Sequence, residues 1–396
     1  MNQQVRARRV RPDALPADAA MVAQVRDAVL NEAEPVTGAR LAAAVQSTGR
    51  LLGSEGAFRT LDRVRAELQG LGPLQRLAED PEVTDILVNG PGAVWVDSGG
   101  GLQRRDLTFS SDADVRALAT RLIAAGGRRL DDGNPCVDVR LDRFRVHAVL
   151  PPLSTTGTLL SIRIQRQRHY SFDELVSSGA LDAQMASVLR GIVSKRLNFL
   201  ISGATGTGKT TLLAALLSLS GSNERLVTVE DSAELSPAHP HAIGLQSRHG
   251  NLEGSGSVDL AELVRQALRM RPDRLIVGEC RGAEVRELLA AMNTGHDGAG
   301  GTIHANSAAS VPARLSALAA LAGMEAQPLA QQAANALDVI VHVVRAGSGR
   351  TVSEVGVLER TAGGDLVVRT ALARRGAVSE RGPAWEALAL KLERGR

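Results

Sequence analysis

From Gly203 the chain reads G-A-T-G-T-G-K-T-T. Gly203, Ala204, Thr205, Gly206, Thr207, Gly208, Lys209 and Thr210 make the pattern G-x-x-x-x-G-K-T, and Thr211 follows it. Polyphosphate packs several negative charges into a small volume. A loop that wraps it needs closely approaching backbone N–H groups, a helix N-terminus aimed at the charge and a compact cation. The glycines permit that approach. Lys209 supplies an ammonium for the β- and γ-phosphates, and the Thr210 hydroxyl is placed to ligate Mg²⁺. Lysine occurs elsewhere only at Lys195 and Lys391, the remaining positive charge being arginine. The pattern therefore predicts a site for ATP and Mg²⁺.

Further groups are suited to the same chemistry. L-I-V-G-E-C-R-G from Leu275 is an apolar strand ending in a carboxylate. Glu279 at such a strand end can orient an attacking water or reach Mg²⁺ through its shell, and it is the expected general base. Gly278 stands where such a strand commonly carries an aspartate. V-E-D-S-A-E-L from Val229 sets Glu230, Asp231 and Glu234 just after another strand. Three close carboxylates repel unless a cation or an arginine is shared. Glu230 is therefore expected near Mg²⁺ with Thr210 and Glu279, directly or through water. His296 and His304 flank a glycine-rich turn in T-G-H-D-G-A-G-G-T-I-H-A-N-S. Matching further zinc ligands are missing nearby, so these histidines are expected to sense the γ-phosphate. Upstream, V-D-V-R-L-D-R-F-R-V-H-A-V-L alternates strictly, turning Arg140, Arg143, Arg145 and His147 away from the apolar face. That row is either a solvated sheet face or a wall offering guanidiniums to a phosphate.

The elements that must position these groups follow from pattern. A leader to about Pro16 precedes apolar residues at helical spacing, so 1–71 is expected as a disordered and helical segment. T-D-I-L-V-N-G-P-G-A-V-W-V-D reads as two β-rich runs around a turn, and Ser111 or Asp112 can cap a helix ending near Gly126. Residues 72–165 are thus a small α+β domain, and 166–180 a linker that runs into a helix near Asp173-Glu174. Beyond it, over 181–375, short apolar strands alternate with helical segments, the pattern of a mainly parallel sheet with helices on both faces. The last strands read as a meander, and 376–396 as a loose tail.

Composition narrows the classes. At 396 residues, with 44% hydrophobic and 22% charged residues, the chain has ample apolar material for globular domains. The two cysteines lie far apart and suggest neither a zinc ribbon nor a disulfide framework. No run of 18 apolar residues occurs. The chain is expected in the cytoplasm, with peripheral contact at the inner face of the cell membrane, where a net charge of +3 is compatible with an anionic surface. With five Phe, one Tyr and two Trp there is no cluster of aromatics on which single strands could stack. Direct nucleic-acid binding is not expected, although a RecA/Rho-like nucleic-acid motor shares the core pattern and is the rival reading.

With these four boxes in this order, the chain resembles the type II/IV secretion ATPase superfamily. It looks most like the CpaF-like, tight adherence (Tad) branch, through G-P-L-Q-R-L-A-E-D-P-E-V-T-D-I-L-V-N-G-P and V-D-V-R-L…R-V-H-A-V-L-P-P-L. The resemblance covers roughly 72–345. It implies an α/β fold in which a RecA-like P-loop NTPase domain follows a smaller, PAS-like α+β domain. It also implies a homo-hexamer that hydrolyses ATP and turns domain closure into work on an inner-membrane platform protein, for pilus assembly, secretion or conjugal transfer. Lys209, Thr210, Glu230, Glu279, His296 and His304 fall on its functional positions. Arg140, Arg145 and Arg163 match arginines of its amino-terminal domain that close on nucleotide.

Overall fold

The structure is a computed structural model and describes residues 70–164, 170–248, 256–346 and 349–396. The chain divides after residue 167 into two compact units. Nearly all of the leader and helices expected over 1–71 lies outside the described residues.

In the first unit, strands β1 (Asp85–Asn89), β2 (Val94–Asp97), β3 (Leu102–Arg105), β4 (Cys136–Leu141), β5 (Phe144–Val149) and β6 (Leu159–Ile164) form one sheet in the order β3-β2-β1-β6-β5-β4. All neighbours are antiparallel. Side chains alternate with the strand period of two, so Val146 and Ala148 are buried while Arg145 and His147 take the other face. Helix α2 (Asp112–Ala125) follows the short α1 (Gln75–Glu79). The Ser111 side chain accepts the Asp114 N–H and starts α2. Val115, Leu118, Leu122 and Ile123 then recur at helical spacing and join Ile86, Val88, Val146 and Ile162 in one core.

The second unit is built on a nine-stranded sheet. β7 (Phe199–Gly203), β8 (Leu226–Glu230), β9 (Ala242–Gln246), β10 (Arg274–Cys280), β11 (Gly300–His304) and β12 (Val339–Ala346) are parallel, in the order β12-β7-β11-β10-β8-β9. β13 (Gly349–Arg360), β14 (Leu366–Arg375) and β15 (Val378–Arg381) extend the β12 edge as an antiparallel meander. Every residue of β7 is buried, as befits a central strand covered on both sides. One face packs helices α3 (Phe172–Ser177), α4 (Ala183–Ser194), α5 (Lys209–Leu217) and α10 (Trp385–Arg394). The other packs α6 (Leu260–Leu268), α7 (Glu284–Met292), α8 (Val311–Leu321) and α9 (Ala326–Ala336). This is the α/β, RecA-like arrangement that the alternation of strands and helices predicts.

The helix expected near Asp173-Glu174 is α3, and it belongs to the second unit rather than to the 166–180 linker: Ser171 and Glu174 close a capping box, and Phe172 is buried in that unit's core. Residues 376–396 are not a loose tail. Leu388 is fully buried, the Arg381 guanidinium lies 4.4 Å over the Trp385 ring, and Lys391 and Arg396 both reach Asp338, each at 2.7 Å. Trp385, Leu388 and Leu392 repeat at helical spacing, a signal obscured by the turn-like S-E-R-G-P before it.

Candidate functional site

β7 runs into the loop Ala204–Gly208, and α5 begins at Lys209. Gly208 is the N-cap of α5 with φ 92°, a left-handed conformation that side chains resist, and no side chain caps the helix. The first-turn N–H groups of α5 therefore face the loop without an internal acceptor, as an anion-binding terminus requires. The Thr207 hydroxyl donates to Ala204 O at 2.8 Å, tightening the loop on itself. Thr210 and Thr211 lie in the first turn of α5, partly exposed. Lys209 is buried, and its Nζ donates to Ala204 O at 3.0 Å. These residues fit a nucleotide's phosphates: a positive helix end, a glycine cradle and one ammonium converge on the same loop.

Parallel pairing brings the other groups to this end of the sheet. His304 lies opposite Gly203, so the last residue of β11 meets the start of the loop. Its Nδ1 is 3.4 Å from Lys209 Nζ, and its Nε2 is 2.6 Å from Glu279 Oε1. A ring that faces a donor at Nδ1 and a carboxylate at Nε2 carries its hydrogen on Nε2. Burial holds the His304 pKa below its ordinary 6.5, and the Lys209 and Arg281 charges push the same way against Glu279. The imidazole is therefore neutral near pH 7. Arg281 Nη2 donates to Glu279 Oε2 at 2.7 Å. Burial by itself would raise the Glu279 carboxyl, but Arg281, His304 and Lys209 together hold it below the ordinary carboxylate value. Burial likewise lowers Lys209, against the pull of Glu279. Glu279 Oε1, although close to His304, has no aligned hydrogen-bond partner and is buried. An ionised carboxylate beside a phosphate loop can accept a proton from a water.

The Glu230 carboxylate is buried, and it accepts the Glu234 N–H at 3.1 Å and the Leu235 N–H at 3.0 Å. It thus fastens its own loop. Among the described residues, no group of three His, Cys, Asp or Glu side chains is placed to hold a metal ion. Arg281, whose Nη1 lies 4.0 Å from Asp231, is the arginine this turn shares. The missing side chain at Gly278 has a reason here: a Cβ there would stand 2.5 Å from Glu230 Cγ.

The two histidines part company. Gly300 is opposite Phe199 and His304 opposite Gly203, and four strand steps of about 3.3 Å separate those ends by about 13 Å. His296 precedes β11 at the far end, its Nδ1 3.3 Å from Ala291 O. One chain does not bring both histidines to one γ-phosphate. In the first unit, Arg140, Arg145 and Arg163 are successive cross-strand partners, with Asp85 next in the row. Directly opposed like charges destabilise a sheet. Asp138 offsets them by accepting Arg145 Nε at 3.1 and 3.2 Å, and Asp85 by accepting Arg163 Nε at 3.1 Å. Arg140 Nε donates to Asp142 O. Arg143, read as part of the row, instead sits in the β4–β5 turn, stacked over Phe144 and donating to Ala78 O. Sequence reasoning missed Arg281, although it stands two residues from Glu279 in G-E-C-R-G. Arg350, which donates to Gly206 O at 3.0 Å, carried no sequence signal.

The type II/IV secretion system protein family matches residues 67–381. A putative conjugal transfer protein of Mycobacterium tuberculosis (strain ATCC 25618 / H37Rv) is 48% identical over 321 residues, 79% of this chain and 91% of that protein. The conjugal transfer protein TrbB of Rhizobium radiobacter is 34% identical over 283 residues, 70% of this chain and 84% of that one. The crystal structure of the pilus retraction motor PilT with bound ADP superposes with a TM-score of 0.52 at 21% identity. That match covers 80% of this chain and 85% of PilT, and it is a likeness of fold.

Proposed function

The chain belongs to the type II/IV secretion system protein family, and from that premise we propose that it is an ATPase driving a secretion, pilus or conjugal-transfer machine. The observation that carries the reading is the convergence of Lys209, Glu279, Arg281 and His304 at the end of β7, β10 and β11. The phosphate loop binds ATP; Lys209 and the α5 N-terminus hold its phosphates. Mg²⁺, held by the Thr210 hydroxyl with phosphate oxygens, would neutralise charge on the nucleotide. Glu279 takes a proton from the attacking water, the new bond forms to the γ-phosphorus, and the bond to the bridging oxygen breaks to leave ADP and phosphate. His304, between Lys209 and Glu279, registers whether the γ-phosphate is present. Glu230 shapes the loop behind Glu279. Arg140, Arg145 and Arg163 are assigned to the same reaction as a further source of positive charge.

The CpaF-like, tight adherence reading rests on the amino-terminal motifs, and the conjugal-transfer names of the relatives support a machine that moves macromolecules across the inner membrane. The chain is assigned to a homo-hexamer at the cytoplasmic face, working on a platform protein. No helix among the described residues is long and apolar enough to cross a membrane. The test is phosphate release by the purified full chain. Glu279→Gln is expected to keep ATP binding and lose about 10²–10⁴-fold in turnover, with the ATP-bound variant found as six copies by native mass spectrometry. Turnover equal to wild type would remove Glu279 as the base, and wild-type protein silent at saturating ATP would remove the ATPase reading.

A further inference from the structure

The positive charge gathered at the loop comes from Lys209 and Arg281, and a third cation lies along the loop's other flank. β12 and β13 form an antiparallel ribbon in which Arg345 and Arg350 are cross-strand partners. Directly opposed residues leave such a ribbon on the same face. Arg350 donates its Nε–H to Gly206 O at 3.0 Å. Its stem passes Gly208 so closely that a Cβ there would stand 3.0 Å from Arg350 Cδ. The loop glycine and the arginine are thus fitted to one another. Both arginines are exposed, and among the described residues neither has a carboxylate at ion-pair distance. Two guanidiniums facing each other repel unless an anion is shared. The anion for which this loop is shaped is polyphosphate.

We infer that Arg350 is a nucleotide-binding residue. Its Nε is anchored on the loop carbonyl, and its Nη groups serve a phosphate oxygen of the nucleotide held by the same chain, with Arg345 strengthening the local field. A guanidinium can do both at once because it carries five N–H donors in a fixed fork, whereas a lysine ammonium is a single point. The contact belongs to the ATPase unit itself and is separate from the arginine row of the first unit. It rests on the nucleotide-binding reading above.

The experiment measures binding of ATP and of inorganic tripolyphosphate by titration calorimetry. It uses the full chain carrying Glu279→Gln, so that turnover does not intervene, at several salt concentrations. Adding Arg350→Ala is expected to weaken both ligands roughly tenfold, the weight of one charge-assisted hydrogen bond, and to flatten the dependence on salt. Arg350→Lys recovers part of the loss, and Arg375→Ala, an exposed arginine on β14, leaves both affinities unchanged. Unaltered affinity in Arg350→Ala would overturn the inference. So would a loss seen with ATP but not tripolyphosphate, which would move the contact to the base or ribose. A loss with an unchanged salt slope and a lower melting temperature of the free protein would also overturn it, reducing Arg350 to a brace for the loop. If the Glu279→Gln parent bound neither ligand, the nucleotide reading would itself fall and take this inference with it.

Discussion

Gly278 adjoins Glu279, and adding one methyl group there tests how this end of β10 is packed. In Gly278→Ala the new carbon would lie 2.5 Å from Glu230 Cγ and 2.9 Å from its Oε1. Glu230 cannot swing aside without loss, since it is 5% exposed and accepts the N–H groups of Glu234 and Leu235. Overpacking by a methyl group destabilises a core by about 1–3 kcal/mol. If the carboxylate shifts to make room, the buried Leu235 N–H is orphaned, which adds about 1–3 kcal/mol. The expected loss is therefore about 2–6 kcal/mol. Gly278→Asp should lose more, because it sets a second carboxylate against Glu230. The assay is urea unfolding followed by Trp385 fluorescence in a Trp95→Phe background. Each unit contains one of the chain's two tryptophans, so this variant reports on the second unit alone. The decisive comparison is a double-mutant cycle with Glu230→Ala, which removes the atoms in the way. In that background Gly278→Ala should be tolerated within about 1 kcal/mol. An equal loss in both backgrounds would refute the packing argument.

Acid should loosen the same unit through His342. This side chain is buried, with Nδ1 2.8 Å from Ser202 Oγ beside the phosphate loop, and burial holds its pKa below the ordinary 6.5. Between 6.5 and that lower value the unfolded chain binds a proton that the folded chain refuses, so stability falls as pH drops through this window. His304, lowered in the same direction, adds to the effect. The urea midpoint read at Trp385 should fall from about pH 7.5 to about pH 5.5. His342→Asn should lessen that fall, and an undiminished fall would count against His342 as a source. Deleting residues 385–396 should destabilise the second unit by about 3–5 kcal/mol, because buried Asp338 loses both Lys391 and Arg396. Calorimetry of the truncated chain showing an unshifted transition would contradict this.

The chemistry of the phosphate loop is local, and local pattern was enough to read it. Glycines, one lysine and a threonine at fixed offsets, between an apolar strand and an apolar helix, state their purpose without reference to distant residues. The alternation of buried strands with helical segments was legible for the same reason, since each element's period is written in its own residues. Tertiary structure decided everything that depends on which strand end meets which. His296 and His304 look equivalent along the chain. Parallel pairing of β11 with β7 carries one to the loop and leaves the other at the opposite edge. What holds Glu230 within its own chain is set by folding, which places two backbone N–H groups on it and the empty side of Gly278 against it. Arg350 lies 144 residues from Gly206, with no motif around it, and only the β12–β13 ribbon brings it to the loop. The sequence by itself determined the phosphate-loop pattern, because those residue types and offsets are contained in consecutive residues. The register of a sheet, which no single strand encodes, decided which carboxylate, histidine and arginines stand around it.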